Sequence, residues 1–355
     1  MGLVSASGYL RQPRVRVIAN GVELSGITDA RIVTTSCSSA AWFSLTIALG
    51  SDAILSSAFW SSETDITIEI QISVNGGQSF SSIITGKVDT VTLTPLQGIV
   101  QIEGRDFTAL LLSSSNQETF VNQTSSEIVS RVALRHGLTP VVTDTTRLIG
   151  AFDTSNYNYV TLNRFSKTLT DWDLLSTLAR AECFDLFINC ATLYFQSPQT
   201  TVRKNIRIQP NDISDLRMDR LPLLGSNFQV TVKSWNSWQQ QAVTSSASAT
   251  QPGAVPVNDN GSSPTDAKFI LISRNLTPDA ASILAQQQLD LIRLHERTIE
   301  FEMPGDPSLT TRDVIVLSGT GTQFDQSYQI ESIEQQINSS RGYSQRVRAK
   351  NSSRD

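Results

Sequence analysis

Residues 124–138 read TSSEIVSRVALRHGL, a helix signature in a chain whose neighbouring segments read as strands. Thr124 is followed three residues later by Glu127, the spacing at which a hydroxyl and a carboxylate satisfy each other's open backbone amides. Ile128, Val129, Val132 and Ala133 recur at helical spacing, and Gly137 ends the run. A second capped helix follows in TDWDLLSTLARAE, with Thr170 as N-cap, Asp173 three residues on, and Leu174, Leu175, Leu178 and Ala179 as its apolar stripe. FDLFI (184–188) and ATLYF (191–195) then read as a hairpin. Residues 106–200 are expected to form a small α+β insert domain.

On its N-terminal side the chain reads as antiparallel β structure. Asn20-Gly21 sits between two alternating runs, a strong hairpin signal. WFSLTIAL (42–49) alternates, and ILSSAFWSS (54–62) reads as a loop or short helix. In DITIEIQISVNGG, Ile66, Ile68, Ile70, Ile72 and Val74 point one way before Asn75-Gly76-Gly77 turns the chain. Strands are expected at 82–87, 90–94 and 99–103, so residues 1–105 read as a first β-barrel domain. On the C-terminal side, NIRIQP, NFQVTVKSW, RTIEFEMPG, RDVIVLSG, SYQIESIEQQI and YSQRVRAK read as strands of a second β-barrel domain, 201–355. Residues 239–267 contain almost no large apolar residue and read as a flexible loop. A third helix near 278–295 has Thr277 as N-cap and Pro278 at its first position, followed by Ile283, Leu284, Leu291 and Ile292. The two β units share strand chemistry but no close sequence repeat. The fold class expected is mainly β with an α+β insert, that is, two barrels plus a small helix-containing domain.

The chain has 355 residues, 39% of them hydrophobic, and a formal net charge of −5. That length suits two or three domains, and interspersed charge argues against a dedicated nucleic-acid binder, which carries a basic face. Three cysteines make no disulfide framework. Cys183 and Cys190 fit a hairpin, either facing one another or as two reduced, packed thiols. No stretch is long and apolar enough to cross a bilayer, and MGLVSASGYLRQPRVRV lacks the apolar core of a signal peptide. A soluble protein made in a cytoplasm, without membrane insertion, is expected.

Chemistry is sparse. No HExxH, GxSxG or phosphate loop is present, and GTGTQ (319–323) leads into no helix, so it reads as a turn. His136 and His295 stand at helix ends, where a ring N–H or cation satisfies open carbonyls. Asp171, Asp173, Glu182 and Asp185 cluster in sequence as a glycosidase pair might, but the first two fall in a helix first turn, where the dipole favours acids. Neither enzyme activity nor a cofactor is expected. Trp42 and Trp172 sit at periodic apolar positions and read as core. Phe59 and Trp60 lie in a serine-rich segment, and Trp235 and Trp238 border the loop at 239–267. Large aromatics so placed are candidate partner anchors, the alternative being that they fold back onto their own domain. A carbohydrate-binding surface and a peptidoglycan hydrolase are the competing functions.

The ordered combination of IEGRDFTALLL closing a β unit, ETFVNQTSSEIVSRVALRHGL, TDWDLLSTLARAECFDLFI and a final MPGDPSLTTRDVIVLSG resembles the tail baseplate hub proteins of phages, the late control protein D family. It is also similar to the N-terminal part of type VI secretion spike proteins. The resemblance implies two tail-tube-like barrels, with the capped helices packing an insert between them. It implies a homotrimer whose six barrels continue a hexameric tail tube on one side and receive a trimeric spike on the other. Expected partners are the tail tube protein, a separate spike protein, other baseplate proteins and the tape measure protein, in a virion tail baseplate assembled in the host cytoplasm. DNA would pass through without specific binding. Duplex DNA carries one charge per roughly 1.7 Å, so a basic wall would hold it, and the lumen is expected not to be basic.

Overall fold

The computed structural model describes residues 11–36, 39–50, 56–115, 118–153, 157–160, 170–197, 204–225, 228–236, 240–248, 267–274, 276–338 and 340–352. The first β unit comprises β1 (Arg14–Ala19), β2 (Val22–Leu24), β3 (Ile27–Thr35), β4 (Trp42–Ala48), α1 (Ser57–Ser62), β5 (Thr67–Ser73), β6 (Ser81–Thr94) and β7 (Ile99–Asp106). Asn20 and Gly21 both take positive φ, 48° and 84°, which is what a two-residue hairpin between twisted strands requires. Alternation does the rest: Val17, Phe43, Leu45, Ile47, Ile68, Ile70, Val100 and Ile102 are fully buried on one face, while their neighbours face water. The two strands expected at 82–87 and 90–94 are one strand, β6. Asp89 is an extra residue between the pairs Val88–Gly104 and Thr90–Glu103, and such a bulge bends a strand without reversing it.

The insert contains α2 (Thr108–Ser113), α3 (Ser125–Arg135), β8 (Thr139–Val142), β9 (Ala151–Asp153), β10 (Asn158–Val160), α4 (Asp171–Glu182), β11 (Asp185–Asn189) and β12 (Thr192–Gln196). Both expected capping boxes form. The Thr124 Oγ1 accepts from the Glu127 amide while Glu127 accepts from the Thr124 amide, and Thr170 and Asp173 do the same. The stripes of α3 and α4 pack on a sheet ordered β11-β12-β8, around Leu111, Trp172, Leu193 and Phe195.

The remaining elements are β13 (Asn205–Ile208), β14 (Ser214–Arg220), α5 (Pro222–Gly225), β15 (Phe228–Asn236), β16 (Gln241–Ser248), β17 (Ala267–Arg274), α6 (Pro278–Arg293), β18 (Arg297–Pro304), β19 (Val314–Leu317), β20 (Ser327–Asn338) and β21 (Gly342–Asn351). Those outside 228–293, except α5, which packs on β15 and α6, build the second barrel, around Phe301, Ile315, Tyr328, Ile330 and Val347. β15, β16, β17 and α6 form a separate layer, a sheet ordered β16-β15-β17 with α6 on one face. This corrects one expectation. The segment 239–267 is not a loop throughout, because Gln241–Ser248 pairs along β15; residues 249–266 lie outside the described set. The helix α6 buries Ala281, Ala285 and Leu289, leaving Ile283 and Leu291 exposed, since small residues let the helix approach the sheet closely.

Both barrels follow one plan. The path β3-β4-β7-β6-β5-β1 of the first corresponds to β14-β18-β21-β20-β19-β13 of the second. The bulge recurs: Glu331 lies between the pairs Ile330–Ala349 and Ser332–Arg348, as Asp89 does in β6. The outermost pair differs, antiparallel for β1–β5 and parallel for β13–β19. The barrels share one continuous sheet. Past its bulge, β20 leaves β19 and pairs antiparallel with β3, from Ser332 opposite Thr35 to Asn338 opposite Asp29. The molecule is thus mainly β, two barrels fused edge to edge, with an α+β insert.

Candidate assembly surfaces

Period-2 alternation that buries one face of β3, β18, β20 and β21 puts a row of charged side chains on the other. Across the junction the Arg31 Nε lies 2.7 Å from the Glu334 carboxylate. Beside it Arg346 reaches Glu302 and Glu300 at 3.7 and 3.9 Å, and Arg348 reaches Glu331 at 3.1 Å. A shallow open cleft here is lined by Arg31, Glu302, Glu334, Gln336, Arg341, Ser344 and Arg346. The same face of the first barrel holds the Arg105–Asp89 pair, with Nε and Nη2 donating to the carboxylate at 2.6 and 2.9 Å. Arg31, Arg105, Arg346 and Arg348 each meet an acid, so the paired part of this face presents no continuous basic track for a polyanion. Trp42 stands on this solvent face, half-buried, with the Arg31 guanidinium 5.3 Å from its ring centre. Its expected place in the core is corrected; Trp172, 6% exposed, is core as expected.

The other aromatics separate. The Ser56 Oγ caps α1 by accepting from the Phe59 amide. That short helix turns Trp60 into the first barrel, where it is 3% exposed and meets Phe59 edge to face, centroids 5.0 Å apart. Neither ring stands free for a partner, so the alternative reading, that they fold back, holds for this pair. Trp235 is 56% exposed on the face of β15 turned away from α6. The parallel register sets Ile270 and Ile272 of β17 on that same face, opposite Thr231 and Lys233, and both are exposed. Trp238 lies outside the described residues.

The insert's polar residues form a clasp. The buried Asp171 carboxylate lies 2.7 Å from the His136 Nε2, accepts from the Ser114 Oγ at 3.1 Å, and is 3.6 Å from the Arg135 guanidinium. Arg131 and Arg135 both also engage Glu118. His136 therefore binds the first turn of α4 rather than the carbonyls of its own helix, and the cluster ties α2, α3 and α4 together. At the other end of α4 Glu182 accepts from the Ser125 Oγ at 2.7 Å. Asp171 and Glu182 are eleven residues apart on one helix, about 16 Å by its rise, and both face α3. That separation exceeds the roughly 5–9.5 Å of a glycosidase carboxylate pair. Cys183 ends α4 in the left-handed region (φ 55°), and Cys190 forms the turn after β11 (φ 50°). The strand between holds the thiols apart, Cys190 is exposed, and burial pushes the Cys183 thiol up. His295 faces Glu331 at 4.0 Å, with its pKa lowered by burial. Among the described residues no group of three or more His, Cys, Asp or Glu is placed to hold a metal ion, and no helix is long and apolar enough to cross a membrane.

The junction itself was the feature missed from sequence. Its signal was present in SYQIESIEQQI, where each of two glutamates directly follows an isoleucine, but such a pattern does not say which strand lies alongside.

With this geometry in hand, the family model of the Alg8 N-terminal domain matches residues 54–339. No curated protein matches the chain by sequence. Among solved structures, a tail protein from Neisseria meningitidis MC58 superposes with a TM-score of 0.69 at 13% identity, covering 96% of each chain. The 43 kDa tail protein of prophage MuSo2 from Shewanella oneidensis gives 0.65 at 17% identity, covering 95% of this chain and 96% of its own. The c3393 protein of E. coli, described as a type VI secretion component, gives 0.57 at 10% identity, covering 94% and 76%.

Proposed function

The chain belongs to the Alg8 N-terminal domain family, and on that premise we propose that it is a structural, non-enzymatic component of a phage-type tail, and within the tail the baseplate hub. The observation that carries this reading is the side-by-side fusion of two like barrels in one sheet through the β20–β3 junction. One such chain supplies two neighbouring positions of a ring, and three copies supply six, matching a hexameric tube on one face and a trimeric spike on the other. The fold shared with tail proteins of N. meningitidis and S. oneidensis supports the setting. The charge-balanced wall around Arg31, Glu334, Arg346 and Glu302 suits a channel that DNA crosses without being held. The partners proposed are the tube protein, the spike protein, other baseplate proteins and the tape measure protein, in a virion tail assembled in the host cytoplasm. The bare face carrying Trp235, Ile270 and Ile272 is assigned to one of these neighbours, because apolar side chains flanking an exposed tryptophan suit protein contact.

Electron cryomicroscopy of intact particles tests the reading. The expected result is three copies around the tail axis between tube and spike, with all six barrels in one ring. Six copies, one copy, or barrels in separate rings would sink it, as would turnover of peptidoglycan abolished by a point substitution.

A further inference from the structure

The shared plan of the two barrels fixes residue equivalences, and these leave two strand edges without their counterpart's partner. Strand by strand, Thr90, Thr92 and Thr94 of β6 correspond to Ser332, Glu334 and Gln336 of β20, since Thr92 stands opposite Gln101 as Glu334 stands opposite Arg346. Likewise Arg217, Met218 and Asp219 of β14 correspond to Arg31, Ile32 and Val33 of β3, set opposite Glu300, Ile299 and Thr298 as those are opposite Ser44, Phe43 and Trp42. Both edge strands carry a bulge near their start, between Ile27 and Asp29 and between Ser214 and Arg217. In the chain β20 beyond its bulge is covered by β3. Its counterpart, β6 beyond Asp89, pairs among the described residues with β7 alone, because β5 ends its ladder at Lys87. The counterpart of β3, β14, pairs among the described residues with β18 alone.

Burial follows the same division. At the closed junction Ile333 is 0% exposed, Ile32 1% and Gln335 3%. Their counterparts Val91, Met218 and Leu93 are only half-buried, and each packs at the margin of a barrel core. An open edge with inward apolar residues is a template for another strand. We infer that β6 and β14 of successive copies of this chain pair head to tail as β20 and β3 do within one copy, placing Thr92 opposite Asp219 of the next copy, Leu93 opposite Met218 and Thr94 opposite Arg217. The occupant is a second copy because it alone brings an edge already built to this register. A one-residue slip would turn Leu93 and Met218 to solvent. Charge is compatible, since Arg217 and Asp219 neutralise one another at 3.0 Å and the facing threonines carry none. The contact is heterologous, each copy using one edge of each kind, so it generates a ring or a filament rather than a two-fold dimer. The inference rests on the proposed hub only for the number of copies that close the ring.

The test uses the full chain with Cys37, Cys183 and Cys190 changed to serine, carrying Leu93→Cys with Met218→Cys. Opposed strand positions bring Cβ atoms within disulfide reach. Mild oxidation of concentrated protein is expected to give covalent oligomers at least about tenfold in excess of a Leu93→Cys, Val22→Cys control, whose second site lies on β2. Thr92→Cys with Asp219→Cys, on the solvent face, repeats the test without touching either core. Equal products in the control, dimers from either single cysteine, or no product from both pairs would overturn the inference. Register-specific oligomers from a chain that enters no tail particle would uphold the edges and sink the hub. Tail particles containing the chain without the cross-link would do the reverse.

Discussion

In the first barrel Phe43 stands opposite Gly104, and at the equivalent place in the second Ile299 stands opposite Ala349. One strand over, Gly86 faces Asp106 where Tyr328 faces Asn351. The backbone plan is shared and the volume is distributed differently. The first barrel puts its bulk on β4 and clears space with two glycines: a Cβ on Gly104 would lie 2.5 Å from the Phe43 ring, and one on Gly86 2.0 Å from the Arg105 carbonyl oxygen. The second puts its bulk on β20, where Tyr328 is fully buried and donates its hydroxyl to the Phe324 carbonyl at 3.0 Å. Cores tolerate such exchanges when total volume and patterning are kept. A doubled architecture can therefore leave no sequence repeat.

The largest effect that bears on this comparison is removal of the ring. Phe43→Ala opens a cavity beside Gly104, which has no side chain to fill it, and the cost expected is about 3–5 kcal/mol, read by chemical denaturation. Less than about 1 kcal/mol would show that the first barrel does not depend on Phe43 for its volume.

Next comes the glycine. Gly104→Ala should cost about 1–3 kcal/mol by overpacking, because the added methyl also meets the Lys87 carbonyl oxygen at 2.3 Å. Combined with Phe43→Ile, which installs the pair used by the second barrel, it should cost less than the two single changes together by at least about 0.5 kcal/mol. Strict additivity would break the equivalence of the two sites.

How much of this was readable beforehand depends on whether the deciding interaction is local. The caps at Thr124, Thr170 and Thr277 and the Asn20-Gly21 turn are settled within four residues, and the structure has them as read. The strand Gln241–Ser248 was missed because Ser, Thr and Ala carry little apolar signal. Only Val243 is deeply buried there, and the ladder with β15 makes the strand. On α6 the eye follows Ile283 and Leu291, whereas the sheet selects Ala281 and Ala285. Trp42 read as core because aromatic and apolar residues alternate alike on either face of a strand. Of the three candidate anchors among the described residues only Trp235 is exposed, and the junction residues Arg31 and Glu334 needed the register to be found.

Asp106 sharpens the comparison by pH. It is 5% exposed, where the second barrel has the neutral Asn351. Burial pushes its carboxyl up to about 6, against the hydrogen bonds it accepts from Thr108 and Ala41. The folded chain then holds this proton more tightly than the unfolded chain, whose carboxyl titrates near 3.9. Stability from this group is fully present below about pH 4 and falls as pH rises through about 6. In Asp106→Asn, which makes the first barrel like the second, the fall between pH 4 and 6 should flatten, by thermal melts at each pH. An unchanged profile would assign the dependence to other groups.

The smallest effect concerns the closed junction against the open edges. Arg31 bridges to Glu334 at 2.7 Å, but the two side chains are 46% and 31% exposed, and ion pairs so placed contribute about 0.2–1 kcal/mol. Arg31→Ala should therefore lower stability by no more than about 1 kcal/mol, and the loss should shrink as salt is added. Arg217, the counterpart on the open edge, already has Asp219 within its own strand at 3.0 Å, so Arg217→Ala should cost no more. If buried ladder and apolar contacts hold the barrels together, both substitutions leave one cooperative transition in calorimetry. A junction held mainly by charge predicts something different: Arg31→Ala alone would split the transition in two, with the barrels unfolding separately, and that result would end the claim that β20 and β3 are joined by their backbones and their inward side chains.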